Sequence, residues 1–326
     1  MESDLIPYAT AISDSQKRQI LLNIVRLRYG DTPTFLSVNQ VLSSYTLEQR
    51  GELGLNLFPG SEEANTATGL GSVTFSDRPT VTFAPLSGER LARSAVQPLS
   101  PAELLPLAQV GLPIDVLFRL GVQSIGPLRN TVVLGGQEGA GDPQFFELLT
   151  GMRRLQVAGI LTVRFVRGKD GNRVFLGING SDQELKAVAV RVRRLLGMAP
   201  GQTEAEVVYG GVSSGRHQIA MLTRPLIAAF SQVSAEIEVP PTDVAAGGTI
   251  PSSHLSPFGL KPIIAVHSGS AAPSDAVTAV TYGGSSFWID EDDFNSKVAY
   301  NILVLMVAVV NAAPAGQGPV LAVPAG

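Results

Sequence analysis

The chain of 326 residues contains no cysteine. This absence excludes disulfide bonds, thiolate metal sites and a cysteine nucleophile. Histidine is nearly as scarce. His217, His254 and His267 are the three in the chain, and no two of them have the short spacing of a zinc-binding helix. We therefore expect no metal site.

Charge is also scarce. Charged residues make up 16% of the chain, against about 25% in typical soluble domains. The formal net charge of −4 argues against nucleic acid as a partner, because nucleic-acid binding normally needs a basic patch. So little charge indicates either a large buried area or a surface that other chains cover.

Two sequence patterns that would indicate a cofactor or a membrane span are missing. The glycine-rich run 135–141 has neither a dinucleotide fingerprint nor the lysine of a phosphate-binding loop, so we expect no cofactor. The longest apolar run, 302–310, has nine residues, whereas a membrane-spanning helix needs about 20. We predict a buried core helix there and no transmembrane helix.

Because Met1 is followed by polar Glu2, Ser3 and Asp4, we expect either a cytosolic protein or a leader that is not part of this sequence.

The clearest local pattern lies at residues 131–209. It predicts the order strand, helix, strand, strand, helix, strand, with a helix start at Asp142-Pro143, a hairpin turn at Asp170-Gly171 and a capping box at Ser181. This order is typical of a ferredoxin-like βαββαβ unit.

The flanking segments predict smaller elements. They are a helix at 14–29, strands at 35–58, strands at 70–76 and 79–84 separated by a turn at 77–79, a helix at 216–237, and a C-terminal hairpin and helix. The predicted fold class is α+β. Its regions are an N-terminal region of hairpins and short helices at 1–130, the ferredoxin-like unit with the following helix at 131–237, and a linker, hairpin, helix and extended tail at 238–326.

One motif suggests catalysis. Residues 211–215 match G-x-S-x-G with Ser213 as the nucleophile, between a predicted strand and a predicted helix. His254 or His267 would supply the base. A serine hydrolase is therefore one alternative function, although the preceding hairpins differ from the alternating strands and helices of such enzymes.

The C-terminal tail suggests an interaction role instead. Residues 312–326 carry no charged side chain, so we expect them to lie against protein, with contacts from Val320, Leu321 and Val323. Phe287 and Trp288 are adjacent aromatic residues, which is typical of core or interface packing. A third alternative is a small-ligand binding module, with a pocket between the central unit and the C-terminal region.

Four segments resemble a known family. They are residues 19–33, 78–80, 85–90 and 287–290, and the first, QILLNIVRLRYGDTP, is the most specific. They resemble a family of uncharacterised proteobacterial proteins, many of which carry a lipoprotein-type leader, and the similarity covers almost the whole chain. The resemblance implies a location in the periplasm or outer membrane of a Gram-negative bacterium. This sequence has neither the leader nor the lipid-bearing cysteine.

Together these features predict a structural or interaction protein of the cell envelope rather than an enzyme. We expect it to form a homo-oligomer or to bind an envelope protein partner, with a lipid anchor possible on a longer chain.

Overall fold

The α+β class is confirmed by a computed structural model, which describes residues 2–34, 36–56, 66–85, 95–134, 137–168, 171–180, 183–212, 215, 217–252 and 261–312. The contacts divide the chain into two compact units. One comprises Met1–Pro33 with Ser87–Gly326, and the other is Thr34–Leu86. These units do not follow the three regions predicted from the sequence.

The described residues contain eight helices and thirteen strands. The helices are α1 (Glu2–Arg28), α2 (Pro101–Gln109), α3 (Ile114–Gly121), α4 (Pro143–Val157), α5 (Lys186–Leu195), α6 (Leu226–Glu236), α7 (Pro241–Ala245) and α8 (Phe294–Ala312). The strands are β1 (Leu36–Asn56), β2 (Thr66–Pro85), β3 (Val122–Ile125), β4 (Leu128–Arg129), β5 (Val132–Leu134), β6 (Gln137–Gly139), β7 (Leu161–Gly168), β8 (Gly171–Ile178), β9 (Glu204–Tyr209), β10 (Gln218–Thr223), β11 (His267–Gly269), β12 (Thr278–Tyr282) and β13 (Ser285–Ile289).

The Thr34–Leu86 unit is one long antiparallel hairpin. Its two strands have 21 and 20 residues and pair from Leu36↔Pro85 to Asn56↔Thr66. The predicted turn at 77–79 was wrong, since these residues lie within β2, where Pro79 pairs opposite Ser43. Proline lacks a backbone donor, but a strand with a free edge tolerates it.

The larger unit is built on a six-stranded sheet in the order β4-β3-β10-β9-β8-β7. Strands β9 and β10 are parallel, and every other neighbouring pair is antiparallel. One face of the sheet is apolar and buried, as the alternation predicts. Its buried residues are Val163, Val174, Leu176, Ala205 and Val207.

The ferredoxin-like arrangement is not confirmed. Strand β5, which would be its first strand, pairs with β6 in a separate two-stranded sheet. Because β5 and β6 are neighbours along the chain, their pairing closes a very short loop and costs little entropy. The sheet position beside β9 is taken by β10 instead.

Strand β10 was missed because residues 216–237 were predicted to be helical. The structure has a strand at Gln218–Thr223 and starts α6 at Leu226, directly after Pro225. Ile219, Ala220 and Met221 are consecutive and buried, which is typical of a strand that is covered on both faces.

Helices cover the buried side of the sheet and extend the core beyond it. Helix α2 contacts β7, β8 and β9, and α4 contacts α5 and β7. Further along, α6 packs against α1 and α3, α8 packs against the same two helices, and α1 contacts β12. The largest buried side chains are Tyr300, Phe118, Phe145, Phe230 and Phe287.

A buried polar cluster joins the end of α3 to the sheet. Asn130 is 2% exposed. Its side-chain Nδ2 donates to the carbonyl oxygens of Phe118 at 3.3 Å, Arg119 at 3.0 Å and Val122 at 2.7 Å. The Arg119 carbonyl lies in the last turn of α3, where a helix leaves its carbonyls without intrahelical partners. The Phe118 carbonyl also accepts from the Val122 backbone nitrogen, and Val122 itself belongs to β3.

Arg224 completes this cluster from the end of β10. Its backbone nitrogen donates to the Gly121 carbonyl at 2.8 Å and its Nη1 to the Arg119 carbonyl at 2.8 Å, while Nη2 donates to the Thr131 carbonyl. Burial lowers the pKa of Arg224 to about 10, partly offset by the negative charge of Glu236. The guanidinium therefore stays charged at neutral pH and keeps its donors.

We expect Asn130→Ala to lower the free energy of unfolding by about 2–3 kcal/mol, because it removes one donor from each of three carbonyls and leaves the Thr131 backbone nitrogen without its Asn130 Oδ1 acceptor. Chemical denaturation monitored by circular dichroism measures the change. Asn179→Ala is the control, since Asn179 is exposed and its loss should cost less than about 0.5 kcal/mol. Equal effects of the two substitutions would contradict the role given to Asn130.

Candidate interaction surface

The small sheet near the C-terminus places the two predicted aromatic contacts in different environments. Phe287 on β13 is 0% exposed, and its ring stands edge-on to Tyr29, the residue after α1, with centroids 6.1 Å apart. Trp288 is half-buried, and its indole Nε1 donates to Asp290 Oδ1 at 2.8 Å. Phe287 is therefore a core residue, and Trp288 reaches the surface.

His267 lies beside Trp288, its register partner across β11 and β13. Both ring nitrogens of His267 are next to carboxylates. Nδ1 is 3.1 Å from Glu238 Oε2, and Nε2 is 3.2 Å from Asp290 Oδ2. Only the imidazolium form donates from both nitrogens. Since each nitrogen already faces an acid, neither is placed to take a proton from a serine.

The predicted hydrolase motif lies in a different structural context from the one expected. Ser213 and His254 lie outside the described residues, but the flanking elements are clear. Strand β9 ends at Tyr209, and the next element is strand β10, which begins at Gln218. A nucleophile elbow needs a helix after the turn, so the context predicted for this motif was wrong.

The acidic run 290–293 begins the last helix. Asp293 caps α8, because its Oδ1 accepts from the Ser296 backbone nitrogen at 3.1 Å and its Oδ2 from the Ser296 hydroxyl at 2.6 Å. Glu291 pairs with Lys297 Nζ at 2.7 Å. Within the part of the chain that the structure describes, no cluster of His, Asp and Glu could hold a metal ion.

Helix α8 has one open apolar side. Ile302, Leu303 and Met306 are fully buried, while Leu305 is 42% exposed, and Ala308 one turn further along is also exposed. A single window in the described residues, Phe294–Asn311, is long and apolar enough for a membrane span, with a mean hydropathy of 1.4 and 33% of it buried. Core helices of soluble proteins pass the same criteria. The sequence predicted the length of this helix, at about 292–311, but only its nine-residue run was considered for burial and its open side was missed.

The tail residues predicted as contacts, Val320, Leu321 and Val323, also lie outside the described residues. In the sequence the tail follows α8 directly. The open side of α8 and the start of the tail are thus consecutive along the chain, and we call Asn301, Leu305 and Ala308 the α8 surface.

A cleft of about 430 Å³ is the nearest match to the predicted ligand pocket. It lies between the end of α1, helix α6 and residues 247–250. Its charged residue Arg28 is 6% exposed, and its Nη1 and Nη2 already donate to the carbonyls of Ala235 at 3.2 Å and Ile250 at 2.8 Å. These bonds tie the end of α1 to α6 and to residue 250 and use two of the five N–H donors of the guanidinium, and the buried Nε has no hydrogen-bond partner within the described residues.

The open face of the six-stranded sheet carries paired charges. Arg164 and Glu204 form a two-bond pair at 2.9 and 2.5 Å, as do Arg173 and Glu206 at 2.5 and 2.9 Å. The ring of Phe175 lies 4.2 Å from the guanidinium carbon of Arg164. The sequence analysis missed this face, although the alternation of Glu204 and Glu206 on β9 was a visible signal. Because each of these charges has a partner, the face does not present free charge to a ligand.

Comparison with family models, curated proteins and solved structures found no match to this chain. The site therefore has to be interpreted from its own geometry. The described residues offer an exposed leucine on α8, paired charges on the sheet and a half-buried tryptophan.

The cap at Asp293 should make stability depend on pH. Burial acts to raise the pKa of Asp293, but hydrogen bonds from Ser296 and the Asn295 backbone, with the nearby His267, hold it below its ordinary value. Because this pKa is lower in the folded than in the unfolded chain, the Asp293 carboxylate stabilises the fold at pH values above the unfolded pKa of about 3.9. This stabilisation is lost as the pH falls through the folded-state pKa. We expect Asp293→Ala to cost about 1 kcal/mol at neutral pH, with the difference shrinking as the pH falls below about 4. Urea denaturation across pH measures it, and the exposed Asp292 is the control position. A cost that does not change with pH would contradict this account.

We expect no serine-hydrolase reactivity at Ser213, because its motif joins two strands. A fluorophosphonate probe should label the wild-type chain and Ser213→Ala equally, at background. Labelling that Ser213→Ala abolishes would instead establish the hydrolase.

Proposed function

We propose that this protein is a structural or interaction protein of the bacterial cell envelope that assembles with itself or with an envelope protein partner. The observation that carries the proposal is the α8 surface, on which Leu305 and Ala308 are exposed beside the polar Asn301, and which leads directly into an uncharged tail. Exposed apolar area of this kind typically marks an interaction site.

The scarcity of charge supports the same proposal. In the described residues, several arginines and glutamates are used in pairs across strands or between helices, such as Arg191 with Glu147 at 2.7 Å. Charged residues are 16% of the whole chain. Placement in the periplasm or outer membrane rests on the resemblance of residues 19–33 and the other three segments to envelope proteins.

Assembly through α8 can be tested by placing a charge on it. We expect Leu305→Lys to weaken self-association about 10- to 100-fold, since a buried leucine contributes about 1.5–3 kcal/mol and each 1.4 kcal/mol is a factor of ten. Native mass spectrometry and light scattering over a concentration series measure the dissociation constant.

Val190→Lys is the matched control, because Val190 on α5 is 47% exposed, close to the 42% of Leu305. It should leave the assembly unchanged. Removal of residues 312–326 should weaken assembly like Leu305→Lys. A wild-type chain that stays monomeric at high concentration, alone and in envelope extract, would contradict the proposal.

A further inference from the structure

The hairpin β1–β2 has an apolar face and a polar face, which follow from its register. One set of paired positions is Leu47↔Phe75, Gln49↔Val73, Gly51↔Gly71, Leu53↔Gly69 and Leu55↔Ala67. The alternate set is Thr46↔Ser76, Glu48↔Thr74, Arg50↔Ser72 and Glu52↔Leu70. Positions two apart on a strand share a face, so the first set forms an apolar face and the second a polar one.

A bulge continues the apolar face along the hairpin. The register shifts between Val38 and Gln40, so that Asn39 has no paired partner. Beyond the bulge the pairs Leu36↔Pro85 and Val38↔Phe83 fall on the same face as Phe75, because β2 is uninterrupted. Between the bulge and Leu47 this face also carries Val41↔Val81, Ser43↔Pro79 and Tyr45↔Asp77, so its longest stretch without a charged residue on β2 is 67–75. Without the extra residue, Leu36 and Val38 would move to the polar face. Bulges are features that re-aim a strand in this way.

The apolar face has the length of a membrane strand. Between 47–55 on β1 and 67–75 on β2, its positions include no charged residue and one amide, Gln49. These segments have nine residues each, and a β-strand that crosses a bilayer needs about 9–11. On the alternate face the same segment carries Glu48, Arg50 and Glu52. Strands of membrane-spanning β-sheets show the same alternation, with apolar residues facing lipid and polar residues facing the interior.

The hairpin also has two free edges. Among the described residues, β1 and β2 pair with each other and with no other strand. An isolated two-stranded hairpin is marginally stable in water, and within lipid every backbone group needs a partner. Strands of 21 and 20 residues let the β2 edge of one copy lie along the β1 edge of another over nearly its whole length. Repetition of this head-to-tail contact generates a ring if the rotation closes.

We propose that the β1–β2 hairpins of several copies of this chain pair edge to edge in a closed ring that crosses a lipid bilayer. The face with Leu53 and Val73 contacts the acyl chains, and the face with Glu52 and Ser72 lines a water-filled interior. This inference rests on the proposed self-assembly and names copies of the same chain as the partner.

The absence of native cysteine allows a clean test. The full chain is prepared with a single cysteine, Leu53→Cys or Val73→Cys on the apolar face and Glu52→Cys or Ser72→Cys on the polar face, and is labelled with an environment-sensitive fluorophore. Vesicles of phosphatidylethanolamine and phosphatidylglycerol are added, with or without a lipid that carries a doxyl quencher in its acyl chain. We expect a blue shift and quenching at Leu53→Cys and Val73→Cys that are several times larger than at the matched neighbours.

Two results would overturn the lipid contact. Equal quenching at neighbouring positions would show that the faces are not distinguished by lipid. A blue shift at Leu53→Cys and Val73→Cys that needs no vesicles and resists the quencher would show that protein covers the face instead.

Edge pairing is tested separately by mixing Glu48→Cys chains with Thr74→Cys chains in the same vesicles. Because each chain has one cysteine, a flexible bismaleimide can join them only between copies, and we expect cross-linked dimers of unlike chains. Absence of these dimers would overturn edge pairing. If the wild-type chain self-associates, and Leu305→Lys weakens this association, while both hairpin tests fail, the proposed function stands and this inference is wrong. If the wild-type chain does not assemble at all, both are wrong.

Discussion

The need to satisfy buried backbone carbonyls at the end of α3 organises the larger unit. A helix end leaves its last carbonyls without partners, and here that end is buried. Asn130 and Arg224 supply the donors from two distant parts of the chain. Asn130 follows β4 and Arg224 follows β10, so the ends of both strands lie next to the end of α3. The sheet and α3 are therefore joined at buried carbonyls, which are costly to leave without a donor. Helix α6 begins two residues after Arg224, and α8 packs on α3, so the rest of the core is built outward from this cluster.

The need of backbone N–H and C=O groups for hydrogen-bond partners is met differently in the two units. In the larger unit, the four inner strands of the six-stranded sheet are paired on both edges, including the parallel contact between β9 and β10, and only β4 and β7 have one edge without a strand partner among the described residues. In the hairpin unit, the inner edges of β1 and β2 satisfy each other, and their outer edges have no partner among the described residues. Unpaired edges are liabilities that proteins cover or use. This difference is the physical reason for treating the hairpin as an element of assembly.

Scarce charge connects the surfaces to the proposed role. The charges that the chain does have are placed in pairs, such as Arg173 with Glu206 across the sheet, or used as caps, as Asp293 is at α8. The conspicuous residues of the sequence take structural positions as well. His267 lies between two carboxylates, and Arg28 ties α1 to α6. Among the described residues, α8 also exposes an apolar side chain, Leu305.

The sequence by itself determined the local elements whose signals are covalently close. The helix start at Pro143, the alternation of β7 and the position of α8 were all readable, because capping and periodicity depend on residues a few positions apart. Tertiary structure decided the rest. It placed β5 in a local hairpin, made 218–223 a central strand, buried Arg28 and Phe287 and brought two carboxylates to His267, because those outcomes depend on which distant segments share a sheet or a core. The β1–β2 hairpin was only partly predictable from the sequence. Its alternation was visible in the sequence, but a single apolar face depends on where Asn39 bulges, which the register alone reveals.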